Sequence, residues 1–227
     1  MNKRSKAHIR ELISKNSKIR FSLGMMALTA FAVILFIMSV FTQFPLPNLS
    51  VPVEYFLHPV TNFENFASGR IGLVDYQYIP QIPVLFFASV ILGPLWGTIA
   101  VLVYIALGLT PYFPVFALGG GPTYFMQYGF GYILAFPFAV CTAGKMLNKD
   151  ISNFGIIKAA FFGVLIIHFI GCSYLTVISL IRHESLDFVL DLIFAQSVTK
   201  LFYDYIFTLL VMFVSRFLKK FLWLING

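Results

Sequence analysis

The sequence predicts an all-α integral membrane protein: six transmembrane helices in a bundle, with a long first outer loop. Three observations predict it. Residues 76–144 run for 69 positions without Lys, Arg, His, Asp or Glu. Across the 227 residues, 59% are hydrophobic and 11% charged, where soluble domains carry about 25% charged residues. Seven of the sixteen Lys and Arg residues stand before position 21, ahead of a long apolar run. The charge-free stretch is too long for one crossing, which takes about 20 apolar residues. It must cross about three times, with Gly93-Pro94, Gly108, Pro111, Pro114 and Gly119-Gly120-Gly121-Pro122 at its turns. A kinked, Gly-rich, uncharged region at membrane depth is how small transporters build a substrate cavity.

The elements follow in order. Residues 1–21 are a basic flank, with Lys3, Arg4, Lys6, Arg10, Lys15, Lys18 and Arg20. Their clustering ahead of a helix points to anionic membrane lipid rather than nucleic acid. The run 22–44 is long for a signal-peptide core and no small-residue cleavage site follows it, so it reads as a retained first helix. Apolar runs place the other helices near 79–92, 95–110, 124–146, 156–181 and 188–218, so the membrane domain spans 22–218. Residues 219–227 read as a cytoplasmic tail.

The positive-inside rule supports this count. With the N-terminus inside, the first connection is outside and has Arg70 against Glu54, Glu64 and Asp75. The third turn is outside and uncharged. The fourth connection is inside with Lys145, Lys149 and Lys158. The segment near 182–191 is outside, with Arg182 against Glu184, Asp187 and Asp191. The C-terminal end is inside with Arg216, Lys219 and Lys220. Five or seven crossings would put a basic cluster on the wrong side. The expectation is a multi-pass protein of the cytoplasmic membrane with both termini in the cytoplasm. Loop 45–78 is aromatic and Pro-rich; it reads as a partly helical cover on the outer face, or else as a peripheral insert.

Lys200 is the one charge deep in an apolar helix. A Lys at the bilayer centre costs about 2.5–3.5 kcal/mol, so it normally faces a cavity or a partner. Ser197, Lys200 and Asp204 share a helix face at i, i+3 and i+7. Either Lys200 pairs with Asp204, or it receives a substrate carboxylate. Tyr124, Tyr128 and Tyr132 repeat every four residues as an aromatic stripe, and Gln127 adds a neutral donor and acceptor. Gly129 and Gly131 permit close approach. Gln81, between Pro80 and Pro83, can cap a helix or bond a ligand. Gly93 and Gly97 have the small-xxx-small spacing of close helix packing. His168 reads as a satisfied helix-interface histidine, and Cys141 and Cys172 as buried thiols. No ATP loop, metal cluster, cofactor motif or catalytic set is present in the sequence. The acids lie mainly in loops and the histidines are isolated, which disfavours a membrane enzyme.

The run from Gln81 through Leu92-Gly93-Pro94 to Tyr104-Ile-Ala-Leu-Gly108, followed by Pro114-Val-Phe-Ala-Leu-Gly-Gly-Gly, resembles the BioY family. These are the biotin-binding S components of energy-coupling factor (ECF) transporters. Gly129-Phe-Gly-Tyr132-Ile-Leu and His168-x-x-Gly171-x-x-Tyr-Leu are also similar. The family's Pro-Gly-Asp-x-x-Lys of the last helix stands here as Gln196-Ser197-Val-Thr-Lys200, with the Lys kept and the Asp replaced by Ser. The family's Pro-Thr ahead of the helix-four Gly-Tyr is absent. The resemblance implies an S-component bundle that takes up biotin with a separate coupling protein and two ATPase subunits. The chemistry of biotin fits a site of Gln81, Gln127, Tyr132, Ser197 and Lys200, with Ser197 or Asp204 offsetting the missing Asp. These supply an aromatic wall, neutral polar groups for the ureido ring, and a cation for the valerate carboxylate. Tyr104, Gly108 and the glycines fall to packing. Another vitamin-like carboxylate would need the same architecture.

Overall fold

The computed structural model of the protein describes residues 23–49, 64–65, 67–69 and 73–226. The basic flank 1–21 and most of loop 45–78 lie outside the described residues. The described chain is mostly helical: α1 (Leu23–Phe41), α2 (Gln81–Gly108), α3 (Phe130–Lys149), α4 (Asn153–Ile181), α5 (Leu186–Ile193) and α6 (Thr199–Asn226). A 3-10 turn (Pro122–Met126) precedes α3, and a π-turn (Phe194–Val198) joins α5 to α6. Among the described residues, five helical segments are long and apolar enough to cross a membrane, the last of them running continuously from α5 into α6. Large apolar side chains such as Phe169, Leu210 and Val214 stand exposed around the bundle, as a lipid-facing surface requires.

Helix α2 is a hairpin. At Gly93 the backbone takes φ 75°, ψ −174°, and the chain reverses. In a straight helix residues 81 and 104 would lie about 34 Å apart; instead Gln81 Nε2 donates to the Tyr104 hydroxyl at 2.8 Å. A Cβ on Gly97 would stand 3.5 Å from the carbonyl of Ala88, on the opposite arm, and 2.9 Å from Val140 of α3. Gly97 therefore lets two arms and a third helix meet. Gly93 acts differently, since a Cβ there would meet nothing within 4 Å; its contribution is the backbone conformation. The expected pairing of Gly93 with Gly97 on one packing face does not describe it. The arms, 81–92 and 94–108, rise about 18 Å and about 22 Å, less than the roughly 30 Å of hydrocarbon.

The hairpin turn lies at the basic end of the bundle. Gly144 of α3 abuts Pro94, next to Lys145. Arg216 of α6 donates to the Ile151 carbonyl and to Asn153 in the α3–α4 turn. Pro94 has no N–H, so the Val90 carbonyl four residues earlier loses its helical donor. The Lys219 ammonium donates to that carbonyl at 2.7 Å. Lys219→Met, which keeps the apolar stem and removes the donor, should lower unfolding free energy by about 1–2 kcal/mol, measured by denaturant unfolding in micelles. Helix α6 runs on to Asn226, so residues 219–226, expected as a tail, continue it.

Two predicted features differ. Helix α3 starts at Phe130 rather than 124, because Pro122 opens a 3-10 turn and Gly129 separates it from α3. Loop 45–78 reads in the sequence as a partly helical cover; its described ends form an antiparallel pair, β1 (Phe44–Leu49) and β2 (Leu73–Tyr78), with Phe44 opposite Tyr78 and Leu49 opposite Leu73. Among the described residues the sheet has two strands, and prolines such as Pro45 and Pro47 are tolerated on an edge strand.

Candidate functional site

A cavity of about 340 Å³ opens at the end of the bundle opposite the hairpin turn. That volume is at the small end of the roughly 300–1,000 Å³ of small-molecule sites. Its walls come from β2, the start of α2, the segment ahead of α3, and α3, α4 and α6. Gln81, Gln127, Tyr132, Lys200 and Asp204 all line it. Ser197 is buried behind Tyr132, at the hub of a hydrogen-bond network. Tyr124 and Tyr128 also line the cavity, although neither is in α3. Their shared wall comes from the 3-10 turn and the bend after it, not from a helical stripe.

The cavity floor is polar and fully partnered. His168, near the middle of α4, is 4% exposed. Its Nε2 lies 3.1 Å from Asp204 Oδ2 and its Nδ1 3.0 Å from Ser197 Oγ. The expected interface histidine is therefore satisfied, and it lines the cavity as well. Tyr78 of β2 donates to Asp204 Oδ1 at 2.9 Å. Tyr132 lies 2.6 Å from Ser197 Oγ, and the Cys172 thiol donates to the same oxygen at 3.0 Å. One direction of donation satisfies all of these contacts. A carboxylate only accepts, so His168 donates from Nε2. In that arrangement Nδ1 accepts from Ser197, and Tyr132 and Cys172 donate to Ser197. The π-turn immediately before α6 contains Ser197, and such turns often mark functional positions.

Lys200 projects from α6 into the same cavity. Its ammonium lies 5.6 Å from the centre of the Tyr76 ring. Among the described residues no carboxylate oxygen comes within 4.0 Å of it; the contact at ion-pair distance is His168–Asp204. The alternative in which Lys200 and Asp204 satisfy each other is therefore not the arrangement found. Burial and the nearby Asp204 charge both push the Tyr76 phenol well above its ordinary range, so it stays neutral beside the cation.

The packing positions frame this site. Tyr104 is buried, accepts from Gln81 and donates to the Val115 carbonyl at 3.2 Å. The Phe116 ring covers Gly108, the Tyr174 side chain covers Gly131, and a Cβ on Gly129 would stand 3.7 Å from Gln196. At the mouth, Tyr128 donates to Glu184 at 2.8 Å and the Arg182 guanidinium lies 4.5 Å over its ring. No group of three or more His, Cys, Asp or Glu gathers as a metal site among the described residues. Sequence reasoning missed Tyr76 and Tyr78. They reach the site across strand β2, and Tyr78 bonds a residue 126 positions away, a distance no local pattern reports.

The sequence profile of the BioY family matches residues 72–223. A protein described as the probable biotin transporter BioY of Lysinibacillus sphaericus is 38% identical over 110 residues, 48% of this chain and 56% of that protein. The match thus spans about half the length of that relative. A crystal structure described as the S-component for biotin from an ECF-type ABC transporter superposes with a TM-score of 0.60 at 23% identity, covering 87% of this chain and 92% of that one. At that identity the likeness is one of fold.

Proposed function

This chain belongs to the BioY family, and from that premise we propose that it is a biotin-binding S component that carries biotin across the cytoplasmic membrane. The observation that carries the proposal is the Lys200 ammonium, which faces the cavity with no carboxylate partner among the described residues, while neutral polar groups and tyrosines line the same cavity. Biotin has a flat ureido ring system that donates and accepts, and a carboxylate at the end of a flexible tail. Gln81, Gln127 and Tyr132 match the ring, and Lys200 matches the carboxylate as a charge-assisted contact in a dry site. Ser197 and Asp204 hold the floor beneath them.

The two arms of α2 count as two crossings in this reading, which gives six. The hairpin turn and the residues Lys145, Lys149, Arg216 and Lys219 then lie on the cytoplasmic side, as do both termini, and the cavity opens outward. Energy for release would come from a coupling protein and two ATPase subunits, since the chain has no nucleotide loop. The activity is transport rather than catalysis.

The test is calorimetric titration of the purified full-length protein with biotin. The expected result is sub-micromolar binding at one site per chain. Binding weaker than that, together with tight binding of another vitamin-like carboxylate, would move the assignment to that ligand.

A further inference from the structure

We infer that His168 and Tyr78 hold Asp204 away from Lys200, and that this sequestration sets how tightly the cavity binds an anion. The inference rests on the reading of Lys200 as the receiver of a ligand carboxylate. Asp204 follows Lys200 by four positions on one helix, the spacing at which opposite charges meet and pair. Here they do not pair, although both line one cavity. Each Asp204 oxygen is already engaged, Oδ1 by Tyr78 at 2.9 Å and Oδ2 by His168 at 3.1 Å.

Asp204 is 3% exposed, so its carboxylate depends on protein donors. Both donors come from elements other than its own helix: Tyr78 from β2 and His168 from α4. They hold the carboxylate from two directions. Turning it toward Lys200 would strand a buried phenol and a buried imidazole N–H, and buried polar groups left without partners are costly. His168 is itself held by Ser197 at 3.0 Å, which fixes the ring.

The consequence is competitive. A carboxylate tethered one turn from an ammonium has an effective concentration of about millimolar or more, far above that of a scarce solute. A free Asp204 would occupy Lys200 ahead of any incoming anion. His168 and Tyr78 are therefore positioning residues that leave the cation open.

The test is biotin titration of the full chain and its variants. His168→Leu should weaken binding about tenfold or more, the scale of losing a charge-assisted contact. His168→Leu combined with Asp204→Asn should bind about threefold or more tighter than His168→Leu alone, because an amide cannot neutralise Lys200. A histidine that only packs would give a loss that Asp204→Asn leaves unrepaired, and that result would overturn the inference. Tyr78→Phe changes a single hydroxyl and should give a smaller loss with the same repair; it keeps the test open if His168→Leu does not fold. A structure of either variant without biotin gives a second readout, independent of ligand. The Lys200 ammonium should move to within about 4 Å of the Asp204 carboxylate, the range of an ion pair, and an unchanged separation would overturn the inference. Failure of the unmodified protein to bind biotin would count against the transport reading, and the ligand-free structure would still decide the role of His168 and Tyr78.

Discussion

Replacing Lys200 with alanine should lower biotin affinity about a hundredfold while leaving the bundle folded. Truncating one partner of a buried, hydrogen-bonded charge pair costs about 2–5 kcal/mol, and each 1.4 kcal/mol is tenfold. The unliganded protein should lose little stability, because no carboxylate oxygen lies within 4.0 Å of the ammonium among the described residues. Removing it also relieves the insertion cost of a membrane-buried cation. The signature is thus asymmetric: affinity falls in calorimetry while the unfolding midpoint without biotin holds or rises. Affinity within threefold of the unmodified protein would remove Lys200 from the site and leave the ligand's charge without a partner.

Gly93→Ala should be among the most destabilising single-methyl changes in the molecule. At φ 75°, ψ −174° the residue occupies a region essentially restricted to glycine, where a side chain costs about 1–3 kcal/mol. The space around it is open, so the expected loss of about 2–3 kcal/mol is conformational and not a clash. Relaxing to helical angles is no escape, because the arms would then separate, taking Gln81 from Tyr104 and Gly97 from the facing arm. Unfolding in detergent measures the effect. A loss below about 0.5 kcal/mol, the scale of an ordinary surface change, would show that the turn tolerates a Cβ.

How much of this was legible in the sequence depended on the range of the interaction. Hydropathy reports what a segment does to its surroundings, so the apolar helices could be placed, and Gly93-Pro94 could be read as the break between two of them. Lys200 was legible because one charge in an apolar helix needs a reason. The start of α3 was not, since Tyr124, Tyr128 and Tyr132 have helical spacing whether or not the backbone between them is helical. Pro122 and Gly129 were the signals against it. The β1–β2 pair was hidden because its strands are short, Pro-bearing and separated by more than twenty residues. The engagement of Asp204 was hidden for the same reason: its partners come from β2 and α4, and the i, i+4 spacing pointed to Lys200 instead.

The contact between Lys219 and the Val90 carbonyl concerns the order in which the protein is made. The residue that supplies the missing donor is translated 129 positions after the carbonyl that needs it. Until α6 is made, that carbonyl lacks both the donor Pro94 has removed and the one Lys219 supplies. The last helix therefore closes the bundle at both ends, since it completes the cavity floor through Asp204 and seals the hairpin turn through Lys219. A chain halted before α6 would keep its earlier apolar segments but would lack both the floor of the cavity and the Lys219 contact.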